Sequence, residues 1–286
     1  MKQFVAIDIG GTAIKYGIVS EEGKVLQSLE CPTPAKAPGE ELLEQLYEII
    51  APLIGEETAG IGIATLGAVD VKRGCVIGMC ENLPGLKGLP LKEALGEKFA
   101  LPVSVMNDVN AAALGEAAFG AGKGIPTFFC MALGTGIGGA FVYEGKIVNG
   151  VHGTTGEIGY LWSGQSEMYE SRASAKTFSD GCRKLGSKDP KMLVPALQGD
   201  PVYQELLEDW LKQVALGIAD VVYVLDPGTI ILGGAMSSVG TLLTERLEQE
   251  VDKVIWPDFR GTTRIIPAKN GNASNMLGAV SPLLEM

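Results

Sequence analysis

Histidine is almost missing from this chain, and the only one, His152, lies in a glycine-rich loop where it reads as a solvated loop residue. One imidazole cannot build a histidine metal cluster. Cysteine is also scarce: Cys31, Cys75, Cys80, Cys130 and Cys182 are odd in number, and no two stand at C-x-x-C spacing. That excludes a disulfide framework and a zinc knuckle, and Cys130 reads as a core residue. Basic residues are outnumbered, 23 Lys and Arg against 34 Asp and Glu, giving a formal net charge of -11 with no basic run. Such a surface repels phosphate backbones and anionic lipid, so neither nucleic acid nor membrane is expected as the main partner. A bound nucleotide would then be held by backbone donors and a divalent metal. The most apolar stretch, Val214 to Met236, is interrupted by Asp220, Asp226 and Pro227 and is too broken to span a bilayer. A strand carrying Asp8 begins almost at once and leaves no room for the zones of a signal peptide, so a cytoplasmic location is expected.

What the chain has is glycine, 39 residues of it, concentrated in two matching signatures. The segments AIDIGGTAIKYGIV from Ala6 and MALGTGIGGAFVYEGKIV from Met131 each read as strand, glycine turn, strand. The first turns at Gly10 and Gly11 and again at Glu22 and Gly23. The second turns through Gly134 to Gly139 and again at Glu144 and Gly145. Glycine lets backbone approach a bulky anion and aim successive N–H groups at it, so two such turns predict a duplicated polyphosphate clamp.

With 286 residues the chain suits two domains, and Gly120, Gly122 and Gly124 mark a hinge. Helical spacing is predicted over residues 40–54, 91–99, 109–119, 171–185 and 206–222, with a weaker helix over 273–284. Further strands are expected at 61–64, 101–106 and 229–232, and an irregular loop runs from Gly150 to about Met168. Alternating strands and helices give an α/β class with mixed sheets in two similar lobes.

The motifs narrow the chemistry. In D-x-G-G-T-x-x-K, Asp8 would orient hydrated magnesium, Thr12 would offer a hydroxyl to phosphate, and Lys15 would add charge. Residues 134–139 match G-x-G-x-x-G, yet a strand follows where a dinucleotide fold needs a helix, and no Walker spacing exists. Asn107 and Asp108 stand where a strand gives way to a helix, the usual ligand position of α/β sheets. Asp108 could simply cap the helix, or it could take a proton from an alcohol attacking a γ-phosphoryl group. Glu157 reads as a loop carboxylate of the kind that, with asparagine, holds vicinal hydroxyls. Gly233 and Gly234 would either let adenine approach backbone or serve tight strand-to-helix packing.

Taken together, DIGGTAIK, NDVNAAALGE, LGTGIGGAFVYEGKIVNG, GEIGY and DPGTIILGG resemble the ROK family of sugar kinases and repressors, in the actin-like ATPase superfamily. The resemblance spans nearly the whole chain in the family's order. It implies a two-lobed, ribonuclease H-like α/β fold, with a small lobe over 1–119 completed by the C-terminal helix at 273–286 and a large lobe over 120–272. It also implies ATP with magnesium, and transfer to a sugar hydroxyl, usually the 6-hydroxyl of a hexose or N-acetylhexosamine. In this reading Asp108 resembles the general base, while Gly67, Asn107 and Glu157 resemble sugar contacts. Asp8, Gly10, Gly11, Thr12, Gly134, Thr135 and Gly136 resemble phosphate contacts, and Gly233 and Gly234 flank adenosine. Many members have E-x-G-H and a cysteine-rich zinc loop, whereas here Tyr160 stands at the histidine position and no cysteine follows. No structural zinc is therefore implied. Glu170, in YESRAS, matches the glutamate closing that loop and is carried over with Tyr160 as a sugar contact. The zinc-less branch resembled here includes kinases of N-acetylmannosamine, glucose and β-glucosides. A homodimer is implied; a non-catalytic sugar-sensing regulator is the alternative, and the family's repressors carry a helix-turn-helix before the phosphate strand that starts here at Phe4.

Overall fold

The computed structural model describes residues 1–189 and 192–284, and the chain divides into two compact units. The first unit comprises Met1–Gly124, Asn149–Thr155 and Asn272–Met286. It starts with strands β1 (Gln3–Ile9), β2 (Ala13–Ser20) and β3 (Val25–Pro32), helix α1 (Gly39–Ile50) and strand β4 (Thr58–Thr65). A small hairpin of β5 (Ala68–Asp70) and β6 (Cys75–Gly78) follows, then α2 (Leu91–Phe99), β7 (Val103–Asn107) and α3 (Asp108–Phe119). The second unit comprises Ile125–Val148 and Gly156–Gly271. Its strands are β8 (Phe128–Leu133), β9 (Ile137–Tyr143) and β10 (Lys146–Ile147), followed by helices α4 (Tyr169–Ala173), α5 (Ala175–Lys184), α6 (Leu193–Leu197) and α7 (Gln204–Leu225). Strand β11 (Thr229–Gly233), helix α8 (Thr241–Val254) and strand β12 (Arg264–Pro267) complete it. The chain then returns to the first unit with α9 (Ser274–Val280).

The two five-stranded sheets share one plan. The first has the order β3-β2-β1-β4-β7 and the second β10-β9-β8-β11-β12. In each, the first three strands run antiparallel as successive hairpins and the remaining two add parallel to the first by crossovers. This is the mixed-sheet α/β arrangement that the actin-like ATPase fold requires. A duplicated topology places the C-terminal ends of β1, β4 and β7 side by side in one unit, and those of β8, β11 and β12 in the other, where α/β proteins carry their ligands.

Side-chain alternation explains which layers cover the first sheet. On β1, Val5, Ile7 and Ile9 pack with Leu42, Leu46, Leu91 and Leu95 of α1 and α2. Phe4 and Ala6 point the other way, onto Met276, Leu277 and Val280 of α9. Asp8 continues that second series and so faces α9. Helix α3 meets α9 with backbone almost touching backbone: a Cβ on Gly278 would overlap the Ala111 carbonyl, and one on Gly115 the Ser274 carbonyl. Fully buried Glu116 secures the same contact by accepting from Ser274 Oγ at 2.9 Å.

In the second unit α7 is the central helix, burying Leu207, Trp210, Leu211, Val214, Ile218 and Val221 against Phe129, Met131, Phe178, Ile230 and Leu232. Among the described residues no helix is long and apolar enough to cross a membrane.

Five elements lie outside the sequence expectations: β5 and β6 of the small hairpin, α6, α8 and β12. The single helix expected over 171–185 is two, because Ser174 adopts extended backbone and caps α5 by accepting from Thr177 N. The first unit also runs past residue 119 to Gly124, since Glu116 holds the next turn through Ala121 N at 2.7 Å and through its carbonyl to Gly120 N and Gly122 N. Residues 149–155 belong to it as well, tied by Asn110 Nδ2 to Asn149 Oδ1.

Candidate active site

In the first unit the candidate residues gather at three adjacent strand ends, where Ile9, Thr65 and Asn107 stand in register. Gly10 and Gly11 form the turn from β1 to β2, closed by Gly10 N donating to the Ala13 carbonyl at 3.0 Å. Thr12 is exposed at its tip, and its carbonyl accepts from Thr33 N. Asp8 is half-buried one step before the turn, accepts from Asn275 Nδ2 at 3.1 Å, and pairs across the hairpin with Lys15. Burial raises the proton affinity of Asp8, while the Asn275 hydrogen bond and then the Lys15 charge oppose that rise. Lys15 itself is half-buried beside a surface cavity of about 390 Å³ with Glu30, Asn272 and Met276. Asn275 has no sequence signal, because it reaches Asp8 from 267 residues away.

The strand-to-helix junction behaves as its composition demands. Asn107 caps α3, its Oδ1 accepting from Val109 N and Asn110 N at 2.9 and 3.1 Å. Its amide group then donates to the Gly67 carbonyl at 3.1 Å and to Asp108 Oδ1 at 2.9 Å. Asp108 Oδ1 also accepts from Val109 N at 2.9 Å. Three expected site residues, Gly67, Asn107 and Asp108, are thus one hydrogen-bonded group. Gly67 has φ +91°, and a Cβ there would lie 2.7 Å from the Gly78 carbonyl, so its conformation is reserved to glycine. Asn107, not Asp108, is the cap, which leaves the aspartate at the first helical position.

The second unit assembles the other candidates. Gly134 N donates to the Gly136 carbonyl at 3.0 Å, making a tight turn with Thr135 exposed at its tip. Gly233 follows in register, opposite Ala132, and Gly234 at φ +76° packs so that a Cβ would sit 2.5 Å from the Leu133 carbonyl. The glycine pair therefore lies against the strand that leads into the Gly134 turn. Glu170 reaches the far side of that turn, with Oε2 3.4 Å from Ile137 N. A cavity of about 390 Å³ opens there, lined by Thr135, Glu170, Ser174, Lys176 and Thr177. Lys176 lacked any motif of its own; only folding brings it here. Tyr160 ends a short 3-10 turn (Ile158–Tyr160) with 48% of its surface exposed. Among the described residues no group of three or more His, Cys, Asp and Glu could hold a metal ion.

Burial first, and repulsion from Glu170 second, push the Glu157 carboxyl above its ordinary value of 4.5. Its native form therefore binds the proton more tightly than the unfolded chain does. The resulting destabilisation is complete above the raised pKa and vanishes as pH falls below the ordinary value. Glu157→Gln is accordingly expected to melt at higher temperature than wild type at neutral pH, with the gain shrinking toward pH 4.5. A melting curve at neutral pH in which the glutamine variant is the less stable would contradict this.

Comparison with known proteins agrees in length and in fold. The model of the ROK family matches residues 4–285. A glucokinase of Thermotoga maritima is 29% identical over 99% of this chain and 98% of its own. An N-acetyl-D-glucosamine kinase of Vibrio cholerae is 28% identical over 96% of this chain and 98% of its own. The crystal structure of a ROK family glucokinase from Streptomyces griseus in complex with glucose and AMPPNP superposes with a TM-score of 0.80 at 28% identity, covering 97% of both chains.

Proposed function

We propose, because this chain belongs to the ROK family, that it is an ATP-dependent carbohydrate kinase transferring the γ-phosphoryl group to the 6-hydroxyl of a hexose or N-acetylhexosamine. The observation that carries this reading is the Gly67–Asn107–Asp108 group at the C-terminal ends of β4 and β7, where an alcohol could meet a carboxylate. Related kinases acting on glucose and on N-acetyl-D-glucosamine support it.

Asp108 accepts the proton of the attacking hydroxyl. The sugar oxygen then bonds to the γ-phosphorus, the bond to the bridging oxygen breaks, and ADP leaves with that electron pair. Asn107 fixes the aspartate by donating to Oδ1, so the carboxylate meets the reaction already oriented. In each unit by itself the glycine turn offers donors suited to phosphate oxygens: the N–H groups of Gly11 and Thr12 in the first and of Thr135 and Gly136 in the second, since those of Gly10 and Gly134 close the turns. Asp8 suits magnesium because a half-buried carboxylate whose proton affinity is raised gains from a nearby cation, and it would orient the metal's hydration shell. Magnesium supplies neutralisation of phosphate charge. Glu157 and Glu170 present acceptors for vicinal hydroxyls, and Tyr160 is an exposed polar aromatic nearby in sequence.

A coupled ADP-release assay with magnesium over glucose, mannose, N-acetylglucosamine, N-acetylmannosamine and β-glucosides tests the proposal. One or more sugars should stimulate turnover well above the sugar-free rate. Sugar binding without ADP release would make the chain a sensor and end the kinase reading.

A further inference from the structure

The carboxylate of Glu170 does not stand apart from the nucleotide turn. Its Oε2 occupies a niche between two glycines: a Cβ on Gly136 would lie 2.6 Å from it, and one on Gly159 3.1 Å. The same oxygen accepts a long hydrogen bond from Ile137 N at 3.4 Å. At the other end of the turn, Lys176 N donates to the Gly134 carbonyl at 3.3 Å. Residues 170–176 thus hold the 134–137 turn at both ends.

That segment is itself fixed. Fully buried Tyr169 donates its hydroxyl hydrogen to the Val214 carbonyl at 2.8 Å, and Trp210 Nε1 donates to the Ala173 and Ser174 carbonyls at 3.0 and 3.1 Å. Glu170, on α4, lies in sequence between Tyr169 and Ala173, the residues through which that segment is bonded to α7. Its carboxylate is therefore a strut from a rigid helix to a glycine turn, and any ligand that draws on it must disturb or strengthen that strut.

We propose that Glu170 is a positioning residue for the phosphate turn, so that sugar and nucleotide affinities are coupled through one carboxylate. The ligand identities rest on the kinase reading above; the link between Glu170 and the turn does not. Two ligands that both bias one element necessarily change each other's affinity by the same factor. Gly136 is glycine, on this view, because the carboxylate fills the space of its side chain.

Calorimetric titration with magnesium-AMPPNP and no sugar is the deciding experiment. Glu170→Ala should weaken nucleotide binding by about three- to tenfold, the effect of one lost hydrogen bond. Glu170→Gln should restore it to within about twofold, since the amide oxygen can accept from the same N–H. Gly136→Ala supplies an independent arm. Its methyl group displaces only the end of a flexible side chain, so the fold should survive while glucose or N-acetylmannosamine, titrated without nucleotide, binds more weakly. Equal AMPPNP affinity in wild type and Glu170→Ala overturns the inference, as does equal weakening by alanine and glutamine. Were wild type to bind AMPPNP and show this pattern while no sugar was phosphorylated, the kinase reading would fall and the role of Glu170 would stand. Absence of AMPPNP binding to wild type would sink both.

Discussion

Asp108→Asn should lower turnover by about a hundredfold or more while leaving the affinities for sugar and nucleotide close to wild type. The isosteric amide keeps an oxygen to accept from Asn107 Nδ2 and Val109 N, both at 2.9 Å, so the local geometry persists. What disappears is the group able to take the hydroxyl proton. Because the loss is confined to the chemical step, kcat and kcat/KM should fall together. Steady-state kinetics on the sugar selected by the panel would check it. Unchanged turnover would remove Asp108 from the role of base, and a rise in KM alone would make it a binding residue.

The second large effect concerns stability. Gly278→Val would drive a branched side chain into the Ala111 carbonyl and toward Gly115 N, where α9 and α3 already touch. Backbone on both sides cannot yield as a flexible side chain can, so we expect a loss of at least about 3 kcal/mol, or no folded protein. Gly55→Ala is the matched control, with no atom within 4 Å of the added methyl. Urea unfolding compares the two, and a Gly278→Val protein as stable as Gly55→Ala would show that the helix contact is dispensable.

Legibility of the fold followed the length and chemistry of each segment. The glycine hairpins were readable because glycine marks turns and β-alternation marks strands, and the ends of α2 coincide with the predicted 91–99. The β5–β6 hairpin was not, since strands of three and four residues carry no measurable period. Ser174 shows a different limit. Both flanks have helical spacing, and only the extended backbone of the serine separates α4 from α5. The candidate site divides in the same way: Asn107 and Asp108 announce themselves at a strand-to-helix boundary, whereas the Asn275 partner of Asp8 comes from 267 residues away. Glu170 entered through resemblance alone, and nothing in its neighbours foretold that Gly136 makes room for its carboxylate.

The α3–α9 contact also bears on the order in which a ribosome delivers the chain. Ser274 and Glu116, which lock that contact, are separated by 158 positions, and the whole of the second unit is translated between them. The inserted unit is therefore complete in sequence while the first still waits for the helix that covers one face of its sheet. The element that begins with Asp108 gains its packing partner only after the second unit has been made, so a chain cut before Ser274 would hold every residue of the second unit and a first unit with one sheet face uncovered.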